Sequence, residues 1–207
     1  MEKDLKTINF FYFCKNFWMS QKQLLSAEDL RIILFRLACQ LKETHGDFSK
    51  TVLVGLQPRG VRLAERLLHI LQHHYKVADV KLSQLDITFF RDDFRRSDKV
   101  LNPNVNDMEV GVENKRIVLI DDVLYTGRSI RAALTAIDSY GRPEEVQLLT
   151  LIDRRFSRHL PIQPDFCGRQ VDAIQNERVV VCWQEEDDED AVYPVSYTHL
   201  TLPTKRI

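Results

Sequence analysis

Four apolar residues that run into two adjacent aspartates, then a hydroxyl-glycine turn, constrain this chain more than any other feature. The stretch is Ile117-Val-Leu-Ile-Asp-Asp-Val-Leu-Tyr-Thr-Gly-Arg-Ser-Ile130. Ile117 to Ile120 reads as a buried strand, with Asp121 and Asp122 at its carboxyl end. The turn Thr126-Gly-Arg-Ser129 then leads into an apolar-periodic helix. This order suits a ligand that carries both a sugar diol and a phosphate. Carboxylates accept hydrogen bonds from hydroxyls, and the N–H groups at a helix N-terminus favour a phosphate. Ligands of open α/β sheets sit beyond the carboxyl ends of the strands, where this order puts the aspartates. Taken alone, the same residues also describe a solvated acidic turn before an ordinary helix.

The rest of the chain predicts further units of this kind. Ser26-Ala-Glu-Asp29 resembles a capping box with Asp in place of Glu, and opens a helix to about His45. Leu30, Ile33, Leu34, Leu37, Ala38 and Leu41 fall on one face of it, and Gly46 ends it. Thr51 to Leu56 is a short apolar strand, and Gly60 to Tyr75 a second amphipathic helix. Asp79 to Phe90 reads as one or two strands. Arg91 to Glu113 lacks a clear period and reads as a long loop or mobile hairpin, a length that is usually functional or disordered. Arg116 to Ile120 is the third main strand, Gly127 to Tyr140 a helix, and Val146 to Ile152 another strand. Residues 153–183 read as an irregular lobe closed by a strand, Arg178 to Trp183. Strands alternating with helices imply an α/β fold, with a mainly parallel central sheet flanked by helices.

A chain of 207 residues supports one sizeable core. That core is placed at 19–184 as a single domain. Residues 1–18 read as a non-native or disordered extension: the aromatic run Phe10 to Trp18 is broken by Lys15 and Asn16, which argues against a signal peptide, and Met19 is a candidate initiator. Residues 185–207 read as an acidic run followed by a tail, Val195 to Ile207, that resembles a translated sequencing-library adapter. The 29 basic and 30 acidic side chains nearly cancel, which leaves no bulk signal for nucleic acid but permits a local basic patch. Four scattered cysteines without a Cys-x-x-Cys pair imply free thiols in a reducing, cytoplasmic compartment. No apolar run approaches the ~20 residues of a membrane span.

Asp121-Asp122-Val-Leu-Tyr-Thr-Gly-Arg-Ser129 resembles the phosphoribosyl-pyrophosphate signature of type I phosphoribosyltransferases. It is close to the form in the PyrR family of pyrimidine-operon regulators and uracil phosphoribosyltransferases. Leu56-Gln-Pro-Arg-Gly60 matches the family's pyrophosphate loop. Asp86-Ile-Thr-Phe-Phe-Arg-Asp-Asp93 and Leu160-Pro-Ile-Gln-Pro-Asp-Phe-Cys-Gly168 match two further stretches, so the likeness covers roughly residues 24–183.

The resemblance implies a type I phosphoribosyltransferase fold with a small hood and a flexible loop. It also implies the reaction of uracil with phosphoribosyl pyrophosphate to give UMP and pyrophosphate. Such a transfer needs positioning and charge stabilisation, and no covalent nucleophile. By resemblance, Asp121 and Asp122 hold the ribose hydroxyls near a developing cation. Val123, Leu124, Tyr125, Thr126, Gly127, Arg128 and Ser129 cradle the 5′-phosphate, where Gly127 permits close approach. Gln57, Pro58, Arg59 and Gly60 take the pyrophosphate, directly or through substrate-bound Mg²⁺, with no direct side-chain cage for the metal. Arg91 and Asp93 open a loop that closes over the substrates. Asp153, Arg154, Phe166, Cys167 and Gly168 lie in the hood that reads the base. Pyrimidine-operon leader RNA is a further implied partner, favoured by UMP. Its candidate contacts are Arg155, Arg158, His159 and Arg169. Two departures weigh on that role: Gln163 stands where regulators are basic, and Arg155-Phe-Ser-Arg158 is one residue longer than usual. Self-association as a homodimer or larger assembly is also implied.

Other chemistries lack their signatures. There is no Gly-x-x-x-x-Gly-Lys-Ser/Thr and no Gly-x-Gly-x-x-Gly. His69 and His73 have metal-compatible spacing, with His74 beside them, but no acidic or Cys partner, and read as a solvated helix face. A base other than uracil, hypoxanthine, guanine or orotate, remains an alternative acceptor, as does RNA-binding attenuation with little transferase role.

Overall fold

The computed structural model describes residues 23–90, 111–172 and 177–196. These fall into two compact units: Glu28–Asp172, and a smaller one from the residues flanking it. In the larger unit, helix α1 (Ala27–His45) enters the fold and strand β1 (Thr51–Leu56) follows. Helix α2 (Arg59–His73), β2 (Lys81–Leu85), β3 (Arg116–Leu124), helix α3 (Arg128–Asp138), β4 (Glu145–Arg154) and β5 (Phe166–Val171) complete it. The five strands form one sheet in the order β2-β1-β3-β4-β5, and every neighbouring pair is parallel.

Burial explains the strand sequences. β1 is buried along its whole length, as a central parallel strand with both faces covered must be. Alternate residues then serve opposite faces. Val52, Val54, Ile117, Leu119 and Leu148 share one apolar cluster with Ile130, Ala133 and Ile137 of α3. α2 packs on β1 and β3, burying Leu63, Leu67 and Leu71. Each such leucine contributes about 1.5–3 kcal/mol, which makes this face a main source of stability.

Two expectations change and one is narrowed. β3 does not stop at Ile120 but runs through both aspartates to Leu124, because Asp121, Val123 and Leu124 pair with Thr150, Ile152 and Asp153 of β4. Asp79 to Phe90 holds a single strand, β2, and a 3-10 turn at Thr88–Phe90. The irregular lobe contains β5, a fifth strand of the sheet. Gly168 and the polar Arg169 and Gln170 lower its apparent strand preference, and pairing with β4 overrides that.

In the smaller unit β6 (Glu177–Cys182) and β7 (Ala191–Ser196) form an antiparallel hairpin. A four-residue helix, α4 (Gln184–Asp187), lies between them. The Leu24 and Leu25 amides donate to the Val192 carbonyl at 2.8 and 3.3 Å. Cys182, Ala191, Tyr193 and Val195 make a small core. The expected boundary at 184 would therefore divide this hairpin between its strands. Val195 and Ser196, the first residues of the adapter-like tail, close β7, while 197–207 and 1–18 lie outside the described residues.

Candidate active site at the sheet's switch point

In a 2-1-3-4-5 parallel sheet the chain leaves β1 and β3 in opposite directions, which opens a crevice beyond their carboxyl ends. Both phosphate-binding candidates lie there. β1 ends at Leu56, and Gln57 is fixed by its amide donating to the Leu85 carbonyl at 3.0 Å. The Gln57–Pro58 peptide is cis. Arg59 begins α2, and Gly60 follows against β3. A Cβ on Gly60 would collide with the Ile120 carbonyl oxygen and stand 3.2 Å from Asp121 Cα, so only glycine lets the two loops meet.

Asp121 and Asp122 are half-buried on β3. Each turns back on the chain: Asp121 Oδ1 accepts from the Asp122 amide at 3.0 Å, and Asp122 Oδ1 from the Val123 amide at 2.8 Å. Burial pushes the Asp122 carboxyl above the usual range. The Arg59 charge opposes this most strongly, followed by the Val123 amide and the Asp121 side chain. Arg59 thus acts electrostatically on the Asp122 carboxylate. Gly127 has φ +87°, the left-handed region, and the turn carries Thr126 Oγ1 within 3.4 Å of the Arg128 amide. Helix α3 starts at Arg128, so its amino end faces this crevice.

The hood is tied to that turn. Arg158 Nη1 donates to the carbonyls of Leu124 at 3.1 Å and Tyr125 at 2.5 Å. Its Nε donates to the Ile162 carbonyl at 3.0 Å, and Nη2 pairs with the Asp153 carboxylate. The His159 amide donates to the Thr126 carbonyl at 3.0 Å. The side chains of Leu160 and Ile162 lie against Gly127, 3.4 and 3.2 Å from where its Cβ would be. The Arg154 guanidinium covers the Tyr125 ring, 4.0 Å from its centroid.

The remaining expected site residues lie around the hood and β5. Arg158, an expected RNA contact, is half-buried and donates to four carbonyls and the Asp153 carboxylate. Asp153 is buried as its counterion and faces the hood. Arg155 is engaged by Asp172 through a forked contact at 2.9–3.2 Å. His159 and Arg169 remain exposed. Phe166 lies at the start of β5 and its ring is 6.1 Å from His45, at the amino end of the sheet. β5 reaches its carboxyl end only at Val171, about 16 Å farther along. The Cys167 and Gly168 carbonyls accept from Arg36 of α1, so they are turned to a helix rather than a base. Burial pushes the Cys167 thiol up, with the Asp153 charge adding to it. Arg91 and Asp93, with most of the expected lid, lie outside the described residues. His69 and His73 are exposed and stacked at 4.1 Å.

The hood–turn bonds were invisible in sequence. Arg158 stands 34 residues from Leu124, and no spacing rule links them. The one available signal was the excess of arginine after β4, which sequence reasoning assigned to RNA.

Comparison with known proteins agrees with this fold. The phosphoribosyl transferase domain family matches residues 20–190. The chain is 44% identical over 170 residues to the bifunctional protein PyrR of Picosynechococcus sp., covering 82% of this chain and 94% of the relative. It is 42% identical over 173 residues to that of Chloroflexus aurantiacus, covering 84% and 94%. Among solved structures, a hypoxanthine phosphoribosyltransferase of Staphylococcus aureus is similar with TM-score 0.61 at 20% identity, over 85% of this chain and 93% of the other. That of Trypanosoma cruzi gives TM-score 0.64 at 14% identity, over 85% and 97%. The structural likenesses carry the fold alone.

Proposed function

The chain belongs to the PyrR family of phosphoribosyltransferases, and from that membership and the site geometry we propose that it converts uracil and phosphoribosyl pyrophosphate into UMP and pyrophosphate. One observation carries the reading: the Arg59 loop and the Asp121–Asp122 pair meet across Gly60, beside a glycine turn that opens α3. A ligand spanning this crevice meets a cation for pyrophosphate, carboxylates for a diol and a helix N-terminus for a 5′-phosphate.

In the transfer, the bond from ribose C1′ to pyrophosphate oxygen breaks and the bond from C1′ to uracil N1 forms, with loss of the N1 proton. Asp121 and Asp122 accept from the 2′ and 3′ hydroxyls and place negative charge near the electron-poor C1′. Arg59 meets the charge that grows on the leaving pyrophosphate. Preorganised charges of this kind supply a large share of such catalysis. Among the described residues no three His, Cys, Asp or Glu side chains gather to hold a metal. The two carboxylates offer hard oxygen donors that fit a Mg²⁺ shared with substrate phosphates, whose chemistry would be to offset phosphate charge.

UMP formation should be assayed with uracil, and with hypoxanthine, guanine and orotate in parallel. Product from uracil alone supports the assignment; product from a purine and none from uracil would overturn it.

A second reading, RNA binding promoted by UMP, is favoured by the rim of the hood. Phe156 is 78% exposed, with the Arg155 guanidinium 5.6 Å from its ring centroid. An exposed aromatic beside a cation suits the stacking by which proteins hold unpaired RNA bases. Tighter binding to the pyrimidine-operon leader than to a scrambled hairpin, at physiological salt and with UMP, is the expected result. Equal binding would remove this reading.

A further inference from the structure

Resting on the transfer proposed above, we infer that Arg158 and the His159 amide are positioning elements that set the peptide orientation of the 5′-phosphate turn. The carbonyls of three successive residues, Leu124, Tyr125 and Thr126, are all held by the hood segment Arg158–His159. The peptides between Leu124 and Gly127 are trans, since Gln57–Pro58 is the cis bond found among the described residues. A trans peptide points its N–H opposite to its C=O. Each carbonyl drawn towards the hood therefore turns the next N–H away from it. The N–H groups of Tyr125, Thr126 and Gly127 are thereby set as a row on the side opposite the hood. Successive amides aimed to one side form an anion-binding concavity.

The chemistry of Arg158 suits this task. A guanidinium offers five donors in a rigid plane, and here it serves Asp153, Leu124, Tyr125 and Ile162 together. The buried Asp153 carboxylate balances its charge. A lysine would keep the charge but lack the planar fork needed to hold adjacent carbonyls. Ile162 and Leu160, against Gly127, fix the same turn from the apolar side.

The test compares UMP with uridine, which differ only in the 5′-phosphate. Binding of each to the full chain is measured by calorimetry for wild type, Arg158→Gln and Arg158→Lys, with thermal melting alongside. In Arg158→Gln, UMP should weaken roughly tenfold to a hundredfold while uridine is held as before. The KM for phosphoribosyl pyrophosphate should rise while that for uracil stays unchanged. Arg158→Lys should regain melting temperature but not the UMP-to-uridine ratio, and it carries the test if the Gln variant does not fold. Three outcomes would overturn the inference: UMP and uridine weakening equally, Lys restoring the ratio, or a wild-type ratio in Gln with loss of leader RNA binding only. A wild-type protein that forms no UMP would instead sink the transferase reading itself.

Discussion

The two ends of the parallel sheet bury ionisable groups in opposite ways. At the carboxyl end, Asp122 is desolvated, but Arg59 and a backbone amide support its charged form. At the amino end, His45 is buried among Phe48, Phe166 and Thr51, with Thr51 Oγ1 3.1 Å from its Nδ1. Burial lowers its pKa, and the Arg116 charge lowers it further, with Glu145 and Gln147 opposing. One end sets a cation and a backbone amide against the desolvation of a carboxyl; the other keeps a neutral ring as packing. The difference sets the proposed site apart from ordinary core packing along a single sheet.

The sharpest way to break that separation is Asp122→Asn. Transfer should fall roughly a hundredfold or more, as when a preorganised electrostatic contact is removed. Stability should hold or rise, since Asn is easier to bury and its oxygen can still accept from the Val123 amide. Steady-state UMP formation and a urea titration read the two effects; loss of both together would mean that the carboxylate is structural. Gly127→Ala comes next. At φ +87°, with Ile162 Cδ1 3.2 Å from the new Cβ, it should cost about 1–2 kcal/mol and raise the KM for phosphoribosyl pyrophosphate. An unchanged urea midpoint would show that the turn relaxes.

At the other end, pH is the probe. The folded pKa of His45 lies below its ordinary 6.5, so the unfolded chain takes up the proton first. Stability present above pH 6.5 is therefore lost as pH falls through that value towards the folded pKa, at up to about 1.4 kcal/mol per unit. His45→Gln should flatten the urea midpoint between pH 7.5 and 5.5 while leaving UMP formation alone. A slope equal to wild type would assign the pH dependence elsewhere. The smallest effect is expected at Arg155→Ala. Its pair with Asp172 is about half exposed on both sides and is worth about 1 kcal/mol or less. Transfer should not change, and leader RNA affinity should fall if the hood rim holds RNA. This shows whether a position near the functional end matters without a contact to the reacting groups.

The functional end was legible where chemistry is local. The order of apolar residues, two aspartates and a glycine turn is contiguous, so Asp121 to Ser129 could be read directly. So could β1 and the Gln57 to Gly60 turn, because a wholly apolar strand followed by a helix start leaves few alternatives. What could not be read depends on pairing at a distance. β3 continues past Ile120 only because β4 lies beside it. β5 has a glycine and polar residues in its middle, so Phe166 to Val171 read as part of an irregular lobe rather than as a strand. Asp153 and Arg158 looked like ligand contacts because charged residues near a site usually invite that reading. They pair with each other, five positions apart, in a segment that folds back on the turn.

The tie between Arg158 and Ile162 has a consequence for length. Arg158 grips the Ile162 carbonyl, and the residues between them carry the His159 bond and the Leu160 contact to the turn. Upstream, Arg155–Ser157 is a 3-10 turn with Phe156 projecting into solvent. The 155–157 stretch, where the resemblance implies an additional residue, therefore lies where the chain can bulge outward. Insertions at 155–157 should be absorbed as a larger bulge, whereas a single insertion between 158 and 162 would shift the grip off its carbonyls. The hood is thus divided into a stretch free to drift in length and a five-residue ruler, Arg158 to Ile162, that is not.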